Sequence, residues 1–136
     1  MEFKVDFITY EGIYKTFMSE KLNVPTSDGR RTILSNHMPL ILPLDIGVIE
    51  TKENNELKHY AINNAVLYFE NNVAEIVADS VIDVKDIDLE QALEDKKTAE
   101  ENLRKTRREY EKFRDRNKLE VANNLIAAAE KYLNHE

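Results

Sequence analysis

The sequence has no cysteine and no tryptophan, and it spreads three glycines and three prolines over 136 residues. Without cysteine there is no disulfide framework, no thiolate nucleophile and no thiolate metal ligand, an absence that fits a reducing compartment. Isolated glycines cannot form the rich loop that cradles phosphate. The three histidines, His37, His59 and His135, have no helical i,i+4 spacing, so no metal site is expected. No apolar run approaches the ~20 residues needed to cross a bilayer. The opening MEFKVDFITYEG carries Glu2, Lys4 and Asp6 where a secretory signal would be apolar. A protein that inserts nothing into a membrane is therefore expected. Acidic residues outnumber basic ones by 26 to 19, giving a net charge of −7, and this excludes a general binder of nucleic acid or anionic membrane.

What is present is a folded composition with a heavily solvated surface, 42% apolar and 33% charged. The length suits one compact domain with an appendage, or one elongated domain. Val24 to Glu50, VPTSDGRRTILSNHMPLILPLDIGVIE, holds two of the three glycines and all the prolines. Such punctuation predicts short apolar strands joined by tight turns. In it Gly29 can take positive φ, leaving Arg30 and Arg31 on or just after an exposed tip, and the turn Ser35 to Pro39 carries His37.

Around this stretch the two-residue period of half-buried strands recurs: Phe3 to Tyr10, Ile13 to Ser19, Lys21 to Val24, Thr32 to Leu34, Leu40 to Leu42 and Val48 to Thr51. A polar turn at Glu53 to Glu56 leads into Leu57 to Ile62. Turns at Asn63-Asn64 and Asn71-Asn72 then flank Val66 to Glu70, and Val73 to Ala78 closes the series. Short strands at such spacing predict an antiparallel sandwich or small barrel, and the lack of βαβ alternation argues against a parallel sheet.

The period changes after Val84. Leu89, Ala92, Ala99, Leu103, Tyr110 and Phe113 fall at three- and four-residue steps, predicting a helix of about seven turns. Asp86 is a candidate cap, with Asp88 and Glu90 at the positive end of the dipole. A break is expected at Asp115 to Asn117, followed by a second stripe of Leu119, Ala122, Ile126, Ala129 and Leu133. The fold class read from these patterns is α+β, an N-terminal antiparallel β-sandwich over 1–84 and a C-terminal antiparallel two-helix hairpin over 85–136. The hairpin seam is rich in alanine, which buries little area, so the helices are expected to separate at modest cost.

No nucleophile–base pair or metal cluster stands out, and no catalytic residue or cofactor is assigned. Asp79, Asp83, Asp86 and Asp88 do not match calcium-loop spacing and read as capping and solvation. The most informative polar feature is basic: Arg104, Arg107, Arg108, Arg114 and Arg116 are five of the chain's seven arginines. They lie with Lys105, Lys112 and Lys118 amid Glu109, Glu111 and Asp115. Such a run is commonly a solvated face, with each surface pair contributing little. Its arginine density favours an acidic partner through bidentate contacts.

The ordered set V-P-T, D-G, I-L-x-x-H-x-P-L-I and L-x-x-G-x-I, with Ile87-Asp88-Leu89-Glu90-Gln91-Ala92 opening a helix, resembles the epsilon subunit of the bacterial F-type ATP synthase over nearly the whole chain. It departs from that pattern at Thr32 and at Asn63-Asn64, where the family has glycines, and at Gln91, where it has arginine. The resemblance implies a non-catalytic central-stalk subunit, peripheral on the cytoplasmic face of the bacterial plasma membrane. Its sandwich would tie the gamma shaft to the ring of c subunits and couple proton flow to ATP synthesis. Its helices would restrain ATP hydrolysis by reaching the alpha and beta subunits. By the same resemblance His37 and Met38 stand at the shaft contact and Arg30 and Arg31 in the loop facing the ring, while Arg104, Arg107, Arg108, Arg114 and Arg116 would meet an acidic segment of beta. His37 also has a local reading, bonding the backbone of its own turn. The alternative function is an ATP sensor whose hairpin switches with nucleotide, using Asp88; Gln91 cannot supply the cation such a site needs. A sandwich-fold hydrolase or lectin-like binder is the remaining class that strand spacing allows, without a constellation to name.

Overall fold

The structure, a computed structural model, describes residues 1–133; His135 lies outside the described residues. The chain divides into two compact units, Met1–Asp83 and a second beginning at Val84.

The first unit has eight strands: β1 Phe3–Thr9, β2 Gly12–Ser19, β3 Lys21–Thr26, β4 Gly29–Leu34, β5 Leu40–Leu44, β6 Gly47–Glu53, β7 Glu56–Glu70 and β8 Val73–Asp83. They run in the order β2-β1-β8-β7-β6-β3-β4, with β5 added on β7. Inward residues of alternate register, among them Phe3, Phe7, Leu22, Ile33, Ile49 and Tyr60, are fully buried and form one core, so the sheet is a β-sandwich. One pairing, β1 with β8, is parallel. These are the first and last strands of the unit, so the sheet between them serves as their connection and no crossover helix is needed.

Two tight hairpins follow from asparagine. Asn54 and Asn55 join β6 to β7, and Asn71 and Asn72 join β7 to β8, all four at positive φ between 51° and 65°. Two such residues in succession make the turn whose twist matches the strands, and asparagine tolerates it. Asn63-Asn64 is not a turn. β7 continues through it with Asn64 at φ 47°, an irregularity across which the inward positions change from Tyr60 and Ile62 to Ala65, Leu67 and Phe69, and the side chain of Asn64 bonds Asp79 across the β7–β8 pair. β5 and β6 lie end to end along β7, so the interruption at Asp45-Ile46 stands opposite Asn63-Asn64. The pair keeps the positive φ of a turn at Asn64, but pairing with β8 on both sides carries the strand through it.

Gly47 opens β6 against Pro25. A Cβ added there would stand 2.9 Å from the proline Cγ. Because the pyrrolidine ring cannot turn aside, Gly47→Ala should cost about 1–3 kcal/mol, the usual penalty for overpacking. Urea unfolding that shows no loss would place Pro25 elsewhere.

The second unit holds a 3₁₀ turn, Val84–Asp86, and the helices α1 Leu89–Lys105 and α2 Glu109–Leu133. The N-cap is Asp88, whose carboxylate accepts from Gln91 N at 3.1 Å, and not Asp86. The break also lies earlier than the periodicity predicts, at Thr106–Arg108 instead of Asp115–Asn117. No glycine or proline marks it. Thr106 takes extended backbone (φ −79°, ψ 145°), gives its N–H to Asn102 O at 2.9 Å and its hydroxyl to Glu111 Oε2 at 2.5 Å, ending one helix and steadying the next. The displaced break splits the predicted stripe. Ala92 and Ala99 are buried, whereas Tyr110 and Phe113 are 63% and 72% exposed. On α2 the buried apolar side chains are Ala122, Ala128 and Ala129, so alanine does supply much of the interior of this unit.

Candidate functional site

The four residues singled out in the sandwich occupy two places. Arg30 and Arg31 lie near the start of β4, and His37 and Met38 follow its other end, with three strand residues, or roughly 10 Å at ~3.3 Å each, between Arg31 and the turn. Arg30 is committed locally. Its guanidinium binds the Asn23 side chain, Asn23 O at 3.1 Å and Val48 O at 2.6 Å, which ties β4 across β3 to β6. Arg31 is exposed.

His37 has the local bonds expected of a turn histidine. Its N–H donates to Leu34 O at 3.2 Å, Nδ1 lies 2.7 Å from Met38 O, and its ring meets Phe69 edge-on at 6.0 Å. The loop itself is anchored by Asn72, whose Oδ1 accepts from Asn36 N at 2.7 Å and from Ser35 Oγ at 3.3 Å. Held in this way, Met38 projects 73% exposed.

Beyond Met38 the structure shows a surface that periodicity did not single out. Ile41, Tyr68 and Val77 sit on outward positions of β5, β7 and β8 and are 71%, 42% and 43% exposed. Register puts Ile41 beside Tyr68 and Val77 beside Val66 on the same face. A concavity of about 730 Å³ runs along it, lined in part by Pro39, Ile41, Tyr68 and Glu75. The signal was there in Ala65-Val66-Leu67-Tyr68-Phe69, where apolar residues fill both phases of a strand and therefore both faces. A cluster of apolar side chains on an outer face marks an interaction surface.

The basic residues gather around the connection between the helices. Arg104 lies in the last turn of α1, Arg107 and Arg108 follow Thr106 in the connection, and Arg114 and Arg116 lie in the first two turns of α2; all five are exposed. Arg108 Nη1 donates to Tyr110 Oη at 3.3 Å, and the hydrogen bond from Thr106, aided by Arg108 and Arg114, holds the Glu111 carboxyl below its ordinary range. Asp88, the residue considered for nucleotide, is occupied as the cap of α1, and Gln91 Nε2 donates to Asp95 at 2.9 Å. No helix among the described residues is long and apolar enough to cross a membrane.

Comparison with known proteins gives a consistent result. Residues 2–84 match the family described as ATP synthase, Delta/Epsilon chain, beta-sandwich domain. The ATP synthase epsilon chain of Lactobacillus gasseri is 35% identical over 122 residues, covering 87% of this chain and 82% of that protein. That of Caldicellulosiruptor bescii is 31% identical over 115 residues, covering 83% and 84%. Among solved structures, a chain of the Euglena gracilis mitochondrial ATP synthase (OSCP/F1/c-ring) superposes with a TM-score of 0.78 at 17% identity, covering 93% of this chain and 81% of that one. One from the central stalk and c-ring of the Tetrahymena thermophila enzyme gives 0.68 at 14% identity, covering 93% and 95%. With a β-sandwich that matches the family's and relatives that align across sandwich and helices alike, the chain belongs to the ATP synthase epsilon-chain family.

Proposed function

We propose that this protein is a non-catalytic central-stalk subunit of a proton-translocating F-type ATP synthase, peripheral on the cytoplasmic face of a bacterial plasma membrane. In this reading the sandwich, residues 1–84, links the gamma shaft to the ring of c subunits. The helices, residues 85–136, restrain ATP hydrolysis by bringing Arg104, Arg107, Arg108, Arg114 and Arg116 to an acidic segment of a beta subunit. The observation that carries the coupling half is the apolar outer face of β5, β7 and β8 beside Met38 and the His37 turn, a surface suited to a packed protein partner. Arg31 and the β3–β4 tip, at the far end of β4, suit a second partner, here the ring. The exposed arginines support the inhibitory half, since a net-negative chain that concentrates its arginines at one helical connection can dock there by charge without binding polyanions generally.

The residues act mechanically and electrostatically. The sensor alternative is disfavoured by the occupied cap at Asp88 and by Gln91 bonding within its own helix. Calorimetry with millimolar ATP is expected to show no heat above dilution.

The decisive experiment measures ATP hydrolysis by the membrane-extracted synthase of the source organism, with the full chain or with one truncated after Lys85. Truncation should raise hydrolysis several-fold while proton pumping stays coupled. Unchanged hydrolysis would remove the inhibitory role, and a pull-down that recovers neither stalk nor ring subunits would remove the coupling role.

A further inference from the structure

The beginning of α2 buries a carboxylate and gives it no hydrogen-bond donor. Asp115 is 1% exposed, and no protein group bonds either of its oxygens. Its ion-pair neighbour is Arg114 Nε at 3.6 Å, too long for a hydrogen bond, on a side chain that is 55% exposed. The adjacent cavity, about 310 Å³, is lined from α1 by Asn102 and Lys105, from the connection by Thr106, and from α2 by Glu111 and Arg114. Thr106 is already spent on Glu111. A metal ion does not suit this cavity. Lys105 and Arg114 line it, and no group of three ligating side chains occurs among the described residues.

An ionised group taken out of water without a full set of partners destabilises the arrangement that buries it. That penalty applies only while α1 covers the face of α2 that carries residue 115; an α2 standing free would return the carboxylate to solvent. The alanines of this unit, with little area to bury, offer little to offset it. We propose that Asp115 is a built-in destabiliser of the hairpin, a charge placed in the closed form so that α1 and α2 part readily. This rests on the proposed restraint of hydrolysis by these helices, taken to act once they have parted, and it names the residue that sets how easily they do so. It also inverts the ordinary expectation for a buried residue, whose replacement usually loosens the structure.

Native-state amide hydrogen exchange on the full-length chain tests it. Asp115→Asn removes the charge and keeps the shape, and Asp115→Leu also removes the polar atoms. Both should slow exchange of the most protected amides of α1 and α2, the asparagine by removing the charge and the leucine, by about tenfold, by removing the unsatisfied polar group as well. The leucine variant should show the larger effect, and protection in the sandwich should not change. Cysteines placed at Glu94 and Glu120, exposed positions in a chain with no cysteine of its own, carry spin labels for a second readout. In both variants the short-distance, paired population should grow. Should leucine fit badly and loosen the unit, the isosteric asparagine decides. Unchanged or faster helical exchange in Asp115→Asn would overturn the proposal and make Asp115 a stabilising residue or the holder of an unidentified ion. Because the measurement uses the free chain, its failure leaves the truncation result intact, and a failure of truncation to raise hydrolysis leaves it intact in turn.

Discussion

Replacing Phe7 with alanine is expected to remove about 3–5 kcal/mol of stability, the range for emptying a fully buried aromatic site. Phe7 is 0% exposed, and its ring packs 4.8 Å from Tyr60 and 5.3 Å from Phe17, centroid to centroid. It thus joins the first strand to β2 and β7. Domains of this size hold about 5–15 kcal/mol in total, so the variant would lose a large share of it. Chemical denaturation followed through the tyrosines gives the number. A loss below about 1 kcal/mol would mean that neighbouring side chains collapse into the space, at odds with the close packing of folded interiors.

The second large effect lies in a buried polar cluster on the same side of the core. Glu53, 5% exposed at the end of β6, accepts hydrogen bonds from Thr51 Oγ1 at 2.6 Å, Tyr60 Oη at 2.8 Å and Lys15 Nζ at 2.9 Å. Lys15 also reaches Tyr60 Oη at 2.5 Å and lies over the Phe17 and Tyr60 rings. Glu53→Ala strips the acceptor from two hydroxyls whose residues are fully buried. At about 1–3 kcal/mol for each stranded donor, offset by whatever water the cavity admits, the expected cost is about 2–4 kcal/mol. Glu53→Gln keeps one acceptor oxygen and should lose less. Lys15 adds little to the loss because its side chain, 32% exposed, can turn to solvent.

The same cluster sets a pH dependence. Burial pushes the Glu53 carboxyl up, but the bonds from Thr51, Lys15 and Tyr60 outweigh burial and hold it below the ordinary value of 4.5. Its stabilisation is therefore complete above the unfolded-state value and disappears as pH falls through the lower folded-state value. Tyr60 is pushed far above its ordinary range, by burial first and by Glu53 second, so it stays protonated and donating throughout. Stability measured between neutral pH and pH 3 should decline in the native chain and decline less in Glu53→Gln. Equal slopes would assign the acid sensitivity to other carboxylates, Glu50 first, since His59 and Lys21 likewise hold it below its ordinary range against burial.

What sequence reasoning reached and missed follows from the distance over which each feature is determined. Alternation placed Phe3, Val5 and Phe7 inside β1 because side-chain direction in a strand is a local property. Gly29 and the pair Asn71-Asn72 marked real turns because positive φ is a demand on single residues. In sequence Glu53 reads as part of a polar turn, since nothing near it announces a buried carboxylate; its partner Lys15 is 38 residues away. Asp115 reads as part of a break for the same reason, a charged residue at a position that neighbouring elements cover only in the folded chain. The helix break was missed because Thr106 makes it with side-chain and backbone bonds, without a residue that forbids helix.

By itself the sequence determined the two-part architecture, the ordered motifs that place the chain in its family, and the arginine concentration in the helical unit. All three depend on residue type, spacing and count, which survive without knowledge of what touches what. Tertiary structure alone decided that β1 pairs in parallel with β8, that Arg30 is spent on Asn23 and Val48, that an apolar face lies open beside Met38, and that Asp115 and Glu53 are out of water. Each of these is a relation between residues distant in the chain or between a side chain and solvent. Burial and partnership are fixed only when the strands and helices have packed.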